Sequence, residues 1–177
     1  MSKAFPVYRT GRLLLRHFTE SDLENVYLGL SNPQVIKYYG VHFKTLEETR
    51  KQLEWFAELE KDETGIWWAI CSADNSVFYG SVGLYYLNNE LKKAELGFWL
   101  MPEFWGKGII TESVQLAIEY GFNKMHLKRI EAEVETENGM SIRVLKKLQF
   151  VHTDTKTDCE IKNGHYISLE VYALSSA

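Results

Sequence analysis

The segment Pro102-Glu103-Phe104-Trp105-Gly106-Lys107-Gly108-Ile109-Ile110-Thr111 holds the residue types of an anion site. An apolar strand run ends at Met101, two glycines follow, and a helical periodicity then places Ile110, Val114, Ile118 and Phe122 on one face. The first N–H groups of a helix have no intrahelical partner, and the helix dipole adds positive charge at the same end. Glycines let a ligand approach the backbone without a Cβ in the way. The chemistry this predicts is capture of a phosphate or pyrophosphate. A plain tight turn is the competing reading of a bare glycine pair. The segment lacks both the P-loop spacing and the third glycine of a dinucleotide fingerprint.

The flanking elements must position this loop. Before it, Leu13-Leu14-Leu15, Ile66 to Cys71, Val77 to Leu87 and Ala94 to Met101 read as strands, the last three joined by short turns into an antiparallel meander. Thr19 with Asp22, and Thr45 with Glu48, read as capping boxes that open two helices. After the loop helix, Arg129 to Glu135 alternates strictly and reads as a strand. Strand, helix and strand in succession make a parallel crossover. A short helix over Ser141 to Leu148 and closing strands at Phe150 to Thr155 and His165 to Leu174 complete the chain, with Lys162-Asn163-Gly164 as the turn between the last two.

Composition bounds the function classes. A chain of 177 residues with 45% hydrophobic content suits one α/β domain over 1–177. The net charge of −4 argues against a nucleic-acid binder and is compatible with a cationic substrate. The two cysteines, Cys71 and Cys159, form no CxxC pair, and the five histidines lack metal-ligand spacing, so no metal site is expected. No apolar run reaches membrane-span length and Met1 to Pro6 lacks a signal core, so a cytoplasmic location is expected.

Four segments resemble the GNAT acetyltransferase superfamily, and within it the RimJ/RimL-like ribosomal-protein N-acetyltransferases. They are Thr10-Gly11-Arg12-Leu13-Leu14-Leu15-Arg16, Ala94-Glu95-Leu96-Gly97-Phe98-Trp99-Leu100, Trp105-Gly106-Lys107-Gly108-Ile109-Ile110-Thr111-Glu112, and Asn138-Gly139-Met140-Ser141-Ile142-Arg143-Val144-Leu145. The resemblance implies a mixed, mostly antiparallel sheet of about seven strands flanked by helices. It also implies an acyl-CoA loop between the fourth of those strands and the next helix, and direct acetyl transfer from acetyl-CoA to a primary amine. Where the family loop begins with Gln or Arg this chain has Glu103, so phosphate contacts are expected from backbone N–H groups. The tyrosine that serves many members as general acid falls at Leu145 and is absent.

Residue roles follow from the same resemblance. Glu95 is the candidate base for the amine, directly or through a water; a solvated strand carboxylate is the alternative. Backbone N–H groups at Phe98, Trp99 and Leu100 are expected to hold the thioester and pantetheine, with a bulge at Gly97. Ser141 is the candidate proton donor to the leaving thiolate, and otherwise an ordinary first-turn helix residue. Asn138 is expected at the pantetheine amides or as a helix cap. Tyr38, Tyr39 and Tyr85 are candidates for the acceptor wall, with core packing as the alternative. Glu131, Glu133 and Glu135 share one strand face, where a polar surface competes with attraction of a cationic amine. The implied partners are acetyl-CoA and an amine acceptor, and a homodimer is left open. The acceptor is expected to be a protein α-amino group; a small amine such as a polyamine, amino acid or antibiotic is the rival. A CoA-binding module without catalysis is the rival from another class.

Overall fold

The computed structural model describes residues 4–176; residues 1–3, part of the stretch read for a signal core, lie outside the described residues. The strands are β1 (Tyr8–Arg9), β2 (Leu13–Arg16), β3 (Ile66–Ser72), β4 (Phe78–Asn88), β5 (Lys93–Leu100), β6 (Arg129–Glu135), β7 (Val151–Lys162) and β8 (His165–Ser175). The helices are α1 (Leu23–Leu30), α2 (Pro33–Ile36), α3 (Leu46–Lys61), α4 (Ile109–Asn123) and α5 (Gly139–Lys147). Short 3-10 turns at Glu20–Asp22 and Pro102–Phe104 precede α1 and α4.

Among the described residues, all eight strands join one sheet in the order β1-β2-β3-β4-β5-β6-β8-β7. Neighbours are antiparallel except β5 and β6, which are parallel through the α4 crossover. The sheet therefore has one strand more than expected. The extra strand, β1, is two residues long and too short to carry a period. Both faces of the sheet are covered. One buries Ile66, Trp68 and Ile70 against α4 and α5, with Val114 and Leu145 at or below 1% exposure. The other buries Trp67, Ala69 and Cys71 against α1 and α3, with Val26 and Leu30 at 0%. Burial on both faces explains why β3 reads as an unbroken apolar run.

The capping signals act locally as their chemistry dictates. Asp22 accepts the Thr19 N–H at 2.8 Å and closes the first box. Thr45 accepts the Glu48 N–H at 3.1 Å and starts α3. The Glu48 carboxylate departs from the box by accepting the N–H of Lys44 at 2.9 Å, one residue before the cap.

Among the described residues, no helix is long and apolar enough to cross a membrane.

Candidate active site

The glycine loop opens α4 as its sequence requires. Gly106 and Gly108 hold φ of 72° and 75°, the left-handed region that side chains avoid. A Cβ on Gly106 would meet nothing within 4 Å, so its backbone angle and not crowding calls for glycine there. Helices α2, α3 and α5 each begin with a side-chain cap, from Asn32, Thr45 and Asn138, whereas α4 begins on Gly108 with none. Its first N–H groups, at Ile109, Ile110 and Thr111, therefore stay available to a ligand.

Residues far away in sequence brace the loop. The Trp105 indole donates to the Leu100 carbonyl at 2.9 Å. The Arg12 guanidinium donates to the Lys107 carbonyl at 2.9 Å and to Glu112 at 2.6 Å, and the Thr10 hydroxyl donates to Glu112 at 2.6 Å. Partial burial pushes the Glu112 carboxyl up, but the bonds from Thr10 and Arg12 outweigh it and hold the group below its ordinary value. The quoted motifs contained all these residues; nothing in a 100-residue separation revealed that they pair.

The parallel ladder between β5 and β6 has only three pairs, Lys93–Arg129, Ala94–Ile130 and Glu95–Glu131. Beyond Glu95 the strands part, and a pocket of about 780 Å³ fills the gap at their carboxyl ends. Leu96 to Leu100 line one wall and Ala132 to Val134 the other. The pocket is continuous with the loop through Gly106, Gly108 and the first turn of α4. Asn138 and Ser141 lie on the same cavity, and the Asn138 side chain accepts the Ser141 N–H at 3.2 Å, so its capping role is realised. Two cations of α5, Arg143 and Lys147, also line it and suit phosphate charge. They lie two and six residues beyond Ser141, and the sequence reading passed over them.

The opposite end of the cavity is aromatic. Tyr38, Tyr39, Trp55, Trp67, Tyr85 and Tyr86 line it. The Tyr38 ring already faces the Lys37 ammonium at 4.8 Å. Glu95 lies beneath Tyr85, whose hydroxyl donates to its Oε1 at 2.5 Å. Burial raises the Glu95 carboxyl above its ordinary value, against the Tyr85 bond that favours the ionised form. A half-buried carboxyl raised in this way holds its proton more readily than an exposed one.

One expectation is corrected. Gly97 sits in unbroken register opposite Gly83, so it forms no bulge. A Cβ on Gly97 would come within 2.5 Å of the Trp67 ring, and one on Gly83 within 2.3 Å. The glycines are there because the indole lies flat across both. The irregularity instead falls on β4 between Tyr85 and Asn88, where Tyr86 takes φ of 51°. On β6 the polar-surface reading holds. Glu131 is paired with Lys93 at 2.8 Å and Arg129 at 2.7 Å, Glu133 with Lys156, and Glu135 with Lys162. The strand face is an ion-paired surface and not a row of free carboxylates.

The structure thus gathers Tyr38, Tyr39, Tyr85, Asn138, Ser141 and the loop onto one cavity. Two expected residues, Lys107 and Glu95, are not part of the cavity lining. Lys107 is exposed, its ammonium over the Phe104 ring at 5.5 Å. Trp99 also lines the cavity, and its side chain packs against Phe78 and over Gly29. Glu95 does not line the cavity and is joined to it through the Tyr85 hydroxyl. Glu103 is exposed and off the cavity, in line with a backbone anion site.

Comparison with known proteins agrees with this geometry. Residues 12–151 match the acetyltransferase (GNAT) domain. The chain is 32% identical over 171 residues to the uncharacterized N-acetyltransferase YoaA of Bacillus subtilis, covering 96% of this chain and 97% of that one. It superposes with a TM-score of 0.85 on RimL, a ribosomal L7/L12 α-N-protein acetyltransferase solved with coenzyme A, at 23% identity over 96% of this chain and 98% of that one. It superposes equally broadly, with a TM-score of 0.83, on a spermidine N-acetyltransferase from Vibrio cholerae solved with CoA and spermine, at 21% identity over 94% and 96%. The chain belongs to the GNAT family and is an acetyl-CoA-dependent acetyltransferase.

Proposed function

We propose that this enzyme acetylates a primary amine by direct attack, and that the amine is the α-amino group of a protein. One observation carries the reading. The gap between β5 and β6 joins the uncapped start of α4 to the aromatic end beside Glu95 in a single cavity. An acyl donor entering from the loop and an amine entering from the aromatic end would meet between the two strands. Bound acetyl-CoA supplies an activated acetyl group on a leaving thiol.

The chain's own residues supply the rest. The backbone of Gly106 to Thr111 would hold the pyrophosphate, and Arg143 and Lys147 offer charge to further phosphate. Backbone N–H groups within Phe98 to Leu100 would orient the pantetheine and thioester, the Leu100 carbonyl being taken by the Trp105 indole. Glu95 takes the proton of the amine, directly or through a water, while Tyr85 holds Oε1 and leaves Oε2 for the exchange. As the new C–N bond forms the C–S bond breaks, and Ser141 donates to the departing sulfur. One donor aimed at a developing oxyanion is worth about 3 kcal/mol elsewhere.

An acceptor screen following release of free CoA tests the acceptor. Transfer to N-terminal peptides without transfer to small amines supports the protein reading; transfer confined to small amines removes it. Gly108→Trp tests the loop, since an indole there fills the anion space at a backbone that disfavours side chains. Undiminished acetyl-CoA binding by that variant would show the loop assignment to be wrong.

A further inference from the structure

The acceptor end of the cavity has two properties that together restrict what can occupy it. The first is its aromatic surface. Trp55 lies 5.4 Å from Trp67 and edge-on to Tyr85 at 5.9 Å, and Tyr85 and Tyr86 are 4.6 Å apart. Tyr85 and Tyr86 share a side because of the irregularity in β4: two residues, Tyr86 and Leu87, oppose the single Ala94 between the Tyr85–Glu95 and Asn88–Lys93 pairs. The extra residue places both rings over the cavity. Tyr86 is 71% exposed at φ of 51°, a conformation unfavourable for a bulky side chain. An exposed ring held on unfavourable backbone at the mouth of a site points to a contact with substrate.

The second property is charge. Among the described residues, Glu133 is the single carboxylate lining the cavity, and Lys156 occupies it. Glu131 and Glu135 on the same strand face are occupied by Lys93, Arg129 and Lys162. Lys162 also donates to the Lys37 carbonyl, which ties it across to the segment that carries Tyr38 and Tyr39. An acceptor with a second or third ammonium finds no unpaired carboxylate on this strand. A single ammonium on an apolar body finds ring faces, which attract one cation and bury carbon surface.

We infer that the acceptor is a monocationic amine carried on an apolar or aromatic body, and that Tyr86 is the side chain that selects it. The inference rests on the acetyltransferase reading of this cavity and narrows its acceptor. A protein beginning with a large apolar residue and a small arylalkylamine share this chemistry.

Four acceptors decide the matter at saturating acetyl-CoA: a peptide with N-terminal Phe, the same peptide with N-terminal Ser, 2-phenylethylamine, and spermidine. The expected kcat/KM for the Phe peptide or 2-phenylethylamine is at least about tenfold above both others. Equal or better use of spermidine or the Ser peptide overturns the inference and leaves acetyl transfer standing. Use of 2-phenylethylamine but not the Phe peptide keeps the selectivity and removes the protein acceptor. Quenching of tryptophan fluorescence by 2-phenylethylamine and spermidine ranks binding without turnover, and the reverse ranking there also overturns it. Tyr86→Ala should raise KM for the aromatic acceptors about tenfold with little change in KM for acetyl-CoA. Lys156→Ala, which unmasks Glu133, should move the ratio of spermidine to 2-phenylethylamine use upward about tenfold. An unchanged ratio in both variants refutes the roles given to the ring and to the paired carboxylates.

Discussion

Gly97→Ala tests whether the Trp67 indole builds the acceptor floor. The added Cβ would lie 2.5 Å from Trp67 Cη2 and 3.2 Å from Tyr85 Cε1, against an ordinary contact near 3.4–4 Å. The indole must retreat by roughly an ångström, and it has little room. It is 4% exposed, stacked on Phe56 at 5.4 Å and 21°, and flanked by Trp55 and Tyr85 at 5.4 Å each. Overpacking of this kind costs about 1–3 kcal/mol. Alanine recovers about 0.5–1 kcal/mol relative to glycine in a strand, which does not cancel it. The net expectation is a loss of about 1–2 kcal/mol, or roughly 2–8 °C in Tm for a chain of this size. Because the ring can escape only toward Phe56, Trp55 or Tyr85, kcat/KM should fall while acetyl-CoA binding holds. A double-mutant cycle with Trp67→Leu, read by urea denaturation, isolates the contact. The coupling should reach about 1 kcal/mol or more, the pair being less damaging than the sum of its parts. Additivity within about 0.5 kcal/mol would refute the reasoning, since it would mean that Gly97 is required for something other than the indole.

Three further outcomes follow from the geometry. Glu95→Gln should lower kcat/KM by about 10²–10⁴ and abolish the acid limb of its pH profile, which in the wild type lies above the ordinary glutamate range because burial raises that carboxyl. Ser141→Ala should lower kcat by about tenfold to a hundredfold, at or below the low end for a proton donor because a thiolate leaves readily, with the acetyl-CoA dissociation constant from calorimetry unchanged. Asp22 is 2% exposed, and burial pushes its carboxyl up, but the Arg16 fork at 2.8 Å and the Thr19 bonds pull it below its ordinary value. A carboxyl depressed in the native state stabilises the fold above the unfolded pKa of about 3.9 and loses that contribution as pH falls through the native value. Asp22→Asn should therefore cost about 2–4 kcal/mol at neutral pH in urea titrations, and should lose less further stability on acidification than the wild type.

What the sequence made legible was what acts over a few residues. The α4 start, the Thr19 and Thr45 caps and the β6 alternation are decided by neighbours within a turn or two, and all stand where the pattern put them. Strand β7 runs to Lys162, well past Thr155, because its residues are polar and exposed on both sides and give no alternation to read. Helix α2, from Pro33, is four residues long and too short to show a period. The site contacts that were missed all cross the sequence: Arg12 to Glu112, Trp67 to Gly97, Lys156 to Glu133. Gly97 is instructive because a glycine in a strand has two common causes, a bulge or a close approach, and only the partner 30 residues earlier distinguishes them.

The parting of β5 and β6 also answers why an interior gap is tolerated in a well-packed sheet. A buried peptide group without a partner costs free energy, so a strand that leaves its neighbour must find other acceptors and donors or face solvent. Here each strand keeps its outer neighbour. β5 stays paired with β4 from Lys93 to Leu100, and β6 with β8 from Arg129 to Glu135. Only the inner groups beyond Glu95 and Glu131 are released, and they face the cavity. The crossover then fixes the gap: the Trp105 indole on the Leu100 carbonyl and the Arg12–Glu112 pair hold the α4 start beside the end of β5. A fully laddered sheet would be better satisfied internally but would have no peptide groups left for a thioester. The same parting joins the uncapped start of α4 to the aromatic end through one opening.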